Sequence, residues 1–187
     1  MVGNDIVDID LASLQSNWKR PKYLDKIFTT KEQALITHST DPSTMVWQLW
    51  SMKEAAYKLY TQLNPSRFYN PRAFECNLNK NSTVTYNEFK CYVKTNVTSK
   101  YIVSEARLNQ GELHSKVVDL MSGSPKSQSK FLIDQLLDLA SCQIQCDKKD
   151  LKFVKRKYGI PTLHYKTNVY NVSLSHHGRF GTIAFAY

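Results

Sequence analysis

Asp5 stands in the apolar stretch 2–9, among Val2, Ile6, Val7 and Ile9. A carboxylate there has to be paired with a cation or a metal, unless it sits at a surface end of a strand. Glu54 and Lys58 are four residues apart in a segment of helical periodicity, so they share one side of a helix. Such a pair is a solvated ion pair worth about 0.3 kcal/mol in most proteins. Lys53 falls near the edge of the apolar stripe, where a snorkelling surface lysine is equally at home. Ser175-His176-His177-Gly178 brings hydroxyl, imidazole and backbone N–H groups to a strand end. That cluster can receive a phosphate or form a polar hairpin turn. It lacks a G-x-S-x-G elbow, and the chain has neither common Gly-rich phosphate loop.

The elements that must position these residues follow from pattern. Residues 2–9 are expected as a strand, with Asp10 capping a helix that carries Leu11, Leu14 and Trp18. Thr29-Thr30-Lys31-Glu32-Gln33 holds two overlapping capping boxes, so a helix starts there and ends at Asp41-Pro42-Ser43. Residues 47–63 form the clearest helix, with Leu49, Met52, Ala56, Leu59 and Leu63 on its apolar stripe and Trp47, Glu54 and Lys58 opposite. Phe89, Cys91 and Val93 alternate with polar residues, and 101–108 completes a hairpin across 96–100. Ser124-Pro125 opens a helix to about 141. Strands at 169–174 and 180–187 flank the Ser-His segment. There is no internal repeat, and the one soft boundary lies at 109–125.

With 187 residues, 42% hydrophobic and 12% aromatic, the chain is long and apolar enough to bury a core as a single domain over 1–187. No apolar run approaches the roughly 18 residues that span a bilayer. The N-terminus lacks a signal-peptide layout, so a cytoplasmic protein without membrane partners is expected. Cys76, Cys91, Cys142 and Cys146 form no zinc-ligand spacing. Lys and Arg exceed Asp and Glu by 25 to 16, a formal charge of +9. That surplus favours an anionic partner, but the basic residues are dispersed.

In order, Gly3-x-Asp5-Ile6-Val7-x-Ile9, Trp50-Ser51-Met52-Lys53-Glu54-Ala55-x-x-Lys58 and Val172-Ser173-Leu174-Ser175-His176 resemble the three signatures of the 4′-phosphopantetheinyl transferase superfamily. Tyr23–Glu32 resembles the segment after the first helix in its holo-acyl-carrier-protein synthase branch, and Gly159-Ile160-Pro161 the turn before the Ser-His strand. The likeness is strong over 1–63 and 155–187, and thin over 64–150, which stand as an elaboration. It implies an α+β fold with an antiparallel sheet packed against a long central helix. It implies transfer of the phosphopantetheine arm of coenzyme A to a serine of an acidic apo-acyl carrier protein, with release of 3′,5′-ADP. Asp5 and Glu54 are then the Mg²⁺ ligands. Lys58, with Lys53, meets phosphate oxygens. Ser175 and His176 contact the 3′-phosphate end of coenzyme A, and Glu54, directly or through a metal-bound water, takes the serine proton. Val7 stands where the longer branch of the family has a third acid, and Asp8 is the acid nearest that position. Asn64-Pro65-Ser66-Arg67 replaces the small Gly-rich turn of holo-synthases.

In that family coenzyme A lies between two copies of one unit, supplied by one chain in the longer branch and by subunits of a trimer in the short one. Each motif occurs once here and 187 residues leave little room for two units, so a homo-oligomer, most simply a trimer, with shared sites is expected. Two rivals stand beside this reading: a nucleic-acid-binding module using the +9 charge, and a family member that binds coenzyme A without turnover. The first lacks an aromatic-interleaved Lys/Arg patch and a helix-turn-helix signal. The second leaves the intact Asp5, Glu54, Lys58 and His176 without a task.

Overall fold

The computed structural model describes residues 1–67, 69–109, 113–120 and 123–186. Strand β1 (Val2–Asp8) leads through short helices α1 (Ile9–Gln15), α2 (Tyr23–Ile27) and α3 (Thr30–His38) into the long α4 (Pro42–Leu63). Then come β2 (Glu75–Asn77), β3 (Thr83–Tyr86), β4 (Phe89–Val97) and β5 (Tyr101–Arg107). The chain continues with β6 (His114–Asp119), α5 (Pro125–Ile144), β7 (Lys152–Lys155), β8 (Pro161–Tyr165), β9 (Asn168–His177) and β10 (Phe180–Ala186). The fold is α+β, as expected, but it contains two antiparallel sheets.

The sheets follow the same path, β1-β5-β4-β3-β2 and β6-β10-β9-β8-β7. Each half starts with a strand, crosses by a long helix, and returns through four strands, the last pairing with the first. The expectation that one chain has no room for two units is therefore corrected. Residues 64–150, expected as an elaboration, hold β2 to β6 and α5, which are parts of both sheets. The repeat escapes the sequence because it lies in strand order, with different side chains in each half.

Each half has its own apolar core. Leu49, Met52, Ala56 and Leu59 of α4 pack on Val84, Cys91, Ile102 and Ala106. Leu132, Leu136 and Ala140 of α5 pack on Leu163, Val172, Ile183 and Phe185. Each Leu, Ile, Val, Met or Phe among them, removed from water, contributes about 2 kcal/mol. Smaller apolar clusters join the halves: Val2 with Ala184 and Ala186, and Ile6 with Val103 and Phe180.

Local chemistry sets the helix starts. The Asp41 carboxylate accepts from Thr44 N at 3.0 Å, and Pro42 occupies the first turn, where its missing N–H costs nothing. The helix therefore begins five residues before the expected 47. Trp47, expected opposite the apolar stripe, is buried, and Leu63, expected on it, is exposed. Ser124 and Pro125 start α5 by the same device. Thr29 and Glu32 form the capping box of α3. Asp8, not Asp10, caps α1, because β1 ends one residue earlier than expected. The segment Ser175 to His177 belongs to β9, which leaves Gly178 and Arg179 as the turn. Tyr187, the last residue of the expected terminal strand, lies outside the described residues, as do parts of 109–125.

Gly3 lets the two motif-bearing elements of the first half touch. A Cβ at this position would lie 2.0 Å from Ala55 O and 2.7 Å from Leu59 N. Only a bare Cα allows β1 to press against the α4 backbone, two residues from Asp5 and at the residues that directly follow Glu54 and Lys58.

Candidate functional site

Strand β1 lies between α4 on one face and β9 and β10 on the other, so its side chains alternate between the two. Asn4 points to the second half: its backbone N–H donates to Ser173 Oγ (3.0 Å) and its Nδ2 to Thr182 Oγ1 (3.3 Å). Gln62 Nε2 of α4 donates to Val2 O (2.6 Å) and Val172 O (3.1 Å), a strap across the same junction.

At this junction the Lys58 ammonium donates to Asn4 O, Asp5 Oδ1 and Ser175 Oγ, each at 2.9 Å. Ser175 Oγ donates in turn to Asp5 Oδ1 at 2.8 Å. Asp5 and Lys58 are mostly buried, so their attraction is weakly screened. Three residues from three separate motifs thus form one connected network. Groups expected from two subunits meet here within one chain.

Glu54 lies one turn before Lys58 on α4 and lines a cavity of about 230 Å³ with Asp5, His176 and His177. Burial first, and the Asp5 charge second, push the Glu54 carboxyl up to about 7, against the opposing pull of Lys58 and of Tyr69. The Tyr69 hydroxyl is buried beside this carboxyl. Tyr69 stacks on Tyr57 at 4.3 Å between ring centres and meets Trp50 edge-on at 6.4 Å. The loop after α4 therefore roofs the acid.

A larger cavity, about 610 Å³, runs between the halves. Lys58 and Arg67 border it from the first half, and Lys155, Tyr158 and His176 from the second. Its cations suit a phosphate-rich ligand. His176 is exposed and is shared by both cavities. Tyr158 holds a left-handed backbone (φ 63°), with the Arg67 guanidinium 5.8 Å from its ring. Arg67 and Lys155, which border this cavity, were not among the residues expected from sequence. Arg67 was visible only in the departure at 64–67, and Lys155 only in the mild basic cluster around 152–157.

Lys53 corrects an expectation. Its side chain is fully buried, and its ammonium donates to Glu32 Oε2 (2.8 Å), Pro71 O (3.0 Å) and Phe74 O. All three N–H groups are used, so it cannot meet a phosphate. Instead it ties α4 to α3 and to the loop that carries Tyr69. Glu32 completes the tie by accepting from Cys76 N at 2.7 Å.

Asp8 is also structural. It is 1% exposed, and Arg179 donates to it from Nε (2.8 Å) and Nη2 (2.7 Å). The guanidinium first, joined by backbone N–H donors and opposed by burial, lowers the Asp8 carboxyl to about 2.

No three His, Cys, Asp or Glu side chains gather as a metal cage among the described residues. Asp5 and Glu54 are therefore a two-carboxylate set. That donor set fits Mg²⁺, which commonly keeps waters and substrate phosphate oxygens in its other positions. A cation between them would also relieve the repulsion that raises Glu54. No helix among the described residues is long and apolar enough to cross a membrane.

No individual curated protein matches this sequence. A family model does: that of the 4′-phosphopantetheinyl transferase superfamily, over residues 1–111. The match covers more than half of the 187 residues, including β1 and the whole of α4. The chain belongs to the 4′-phosphopantetheinyl transferase superfamily.

Proposed function

We propose that this chain moves the 4′-phosphopantetheine arm of coenzyme A onto a serine of an acidic apo-acyl carrier protein, releasing 3′,5′-ADP. The observation that carries this reading is the joining of Asp5, Lys58 and Ser175 in one hydrogen-bonded network between two cavities. The larger cavity, with Lys58, Arg67, Lys155 and His176, takes the nucleotide and its phosphates. The smaller one, with Asp5 and Glu54, is where the phosphoryl group meets the acceptor.

Asp5 and Glu54 would hold Mg²⁺, whose charge would offset that of the pyrophosphate and of the leaving oxygen. Lys58 exchanges its present acceptors for phosphate oxygens and stabilises charge that grows during transfer. Ser175 and His176 orient the 3′-phosphate end. Glu54, directly or through a metal-bound water, accepts the serine proton. Lys53, Gly3 and Gln62 hold these groups in place without touching substrate.

Each chain carries a complete site, because both motif-bearing halves come from one polypeptide. This replaces the trimer with shared sites as the simplest assembly. The test is incubation with coenzyme A, Mg²⁺ and a panel of apo-carrier proteins. The carrier serine should gain the mass of one phosphopantetheine arm, with 3′,5′-ADP in equal amount. EDTA should stop the reaction reversibly. Full transfer in metal-free buffer would overturn the assignment of Asp5 and Glu54.

A further inference from the structure

His177 follows the Ser-His pair, yet the motif ends before it and no role above uses it. Its Nδ1 lies 3.0 Å from the backbone N of Asp8. A backbone N–H can only donate, so Nδ1 carries the lone pair and the ring proton sits on Nε2. The same turn is clamped from a second side. Gly178 has φ +57°, and a Cβ there would lie 2.4 Å from Asp8 Oδ2. Arg179 donates from its backbone N (3.0 Å), Nε and Nη2 to the Asp8 carboxylate, and from Nη2 to Asp10 (2.8 Å). The residue whose amide fixes the ring is thus itself held by four donor contacts, counting its cap on Leu11 N as the acceptor's fourth partner. His177 lines the smaller cavity with Asp5 and Glu54, whereas His176 borders both cavities.

We propose, resting on the function given above, that His177 is a further substrate-contacting residue. It is a neutral imidazole of fixed tautomer whose Nε2–H donates to a non-bridging oxygen of the phosphoryl group in transfer. Asp8 and Arg179 are its positioning residues. In the step itself, the serine oxygen bonds to phosphorus as the bond to the 3′,5′-ADP oxygen breaks. The serine proton passes to Glu54, and His177 keeps its own. It cannot serve as the base, since its lone pair is committed to Asp8 N–H.

Nitrogen NMR of ¹⁵N-histidine-labelled protein, free of metal and substrate at neutral pH, reads the tautomer directly, with His177→Gln identifying the signal. Nδ1 should appear unprotonated and Nε2 protonated. In transfer assays His177→Ala should lower kcat about 10²-fold, as loss of one preorganised donor does. Its KM for coenzyme A should stay within about twofold, because only differential transition-state binding is lost. His177→Gln, which keeps an N–H near the Nε2 position, should recover part of that loss. Arg179→Ala should lower kcat less than His177→Ala, with partial return in Arg179→Lys. A proton on Nδ1, averaging of both tautomers, or a His177→Ala kcat near wild type overturns the proposal. A wild type that moves no arm to any carrier overturns the functional reading instead, and is recognised because the tautomer still reads as expected.

Discussion

The two halves share strand order and helix device but contribute different side chains to the candidate site. Both long helices start on an N-cap followed by proline, Asp41-Pro42 and Ser124-Pro125, and both bury Leu and Ala rows on a five-stranded sheet. In the first half, α4 turns Glu54 and Lys58 toward the junction. In the second, the acids of α5 point away: Asp134 and Asp138 share the Lys148 ammonium at the surface. The second half contributes instead from its strands, with Ser175 and His176 on β9 and Lys155 on β7. A common scaffold thus supports two different faces, and function resides in the residues set on it.

The largest effect expected from breaking this division lies in the acids of the first half. Asp5→Ala and Glu54→Gln should each lower transfer by about 10³-fold or more, since each removes half of a two-carboxylate metal set. Circular dichroism should show an unchanged fold. Mass spectrometry of the carrier reads the loss.

Next in size is the contrast between Lys58 and His176, which line the larger cavity from opposite halves. Lys58→Ala should lower kcat by about 10²-fold, because its charge meets charge that builds in the transition state. His176→Ala should raise KM for coenzyme A about tenfold and change kcat less. Dephospho-coenzyme A, which lacks the 3′-phosphate, should be nearly insensitive to His176→Ala. An equal loss with both substrates would move that contact elsewhere.

These contrasts show how far the sequence carried. The α+β class, the hairpin of β4 and β5, and the caps at Thr29 and Ser124 followed from periodicity and cap chemistry. Asp5, Glu54, Lys58, Ser175 and His176 were legible as a set because three motifs occur in order, and the structure brings Asp5, Lys58 and Ser175 into hydrogen-bond contact. Three things were not legible. The burial of Lys53 depends on Glu32, Pro71 and Phe74, which meet it only once the loop after α4 has folded back. The second copy of the fold is written in strand order, and strand order leaves no residue signature. The clamp of Asp8 on Arg179 joins positions 171 apart, and nothing local marks either partner.

The smallest effect expected is on stability against pH, and it sets the two acids of β1 and α4 in opposite directions. Glu54 is raised from 4.5 to about 7, so the metal-free folded state holds a proton that the unfolded state has released. Its contribution is full below pH 4.5 and is lost as pH rises to about 7. Asp8 is lowered from 3.8 to about 2, so its contribution is full above pH 3.8 and is lost as pH falls toward 2. Denaturant midpoints between pH 4.5 and 7 should decline in the wild type and flatten in Glu54→Gln. An identical decline in both proteins would assign it to other groups.

The central claim is that two unlike halves of one chain make one complete transferase site. Glu54→Gln and His176→Ala proteins, each impaired in a different half, can be mixed and incubated with coenzyme A, Mg²⁺ and an apo-carrier, with wild type in parallel. The expected result is a full phosphopantetheine mass gain on the carrier with wild type. The mixture should give no more than the sum of the two variants alone. Recovery of activity in the mixture would show that sites are shared between chains, and a carrier panel left unmodified by wild type would contradict the transfer itself.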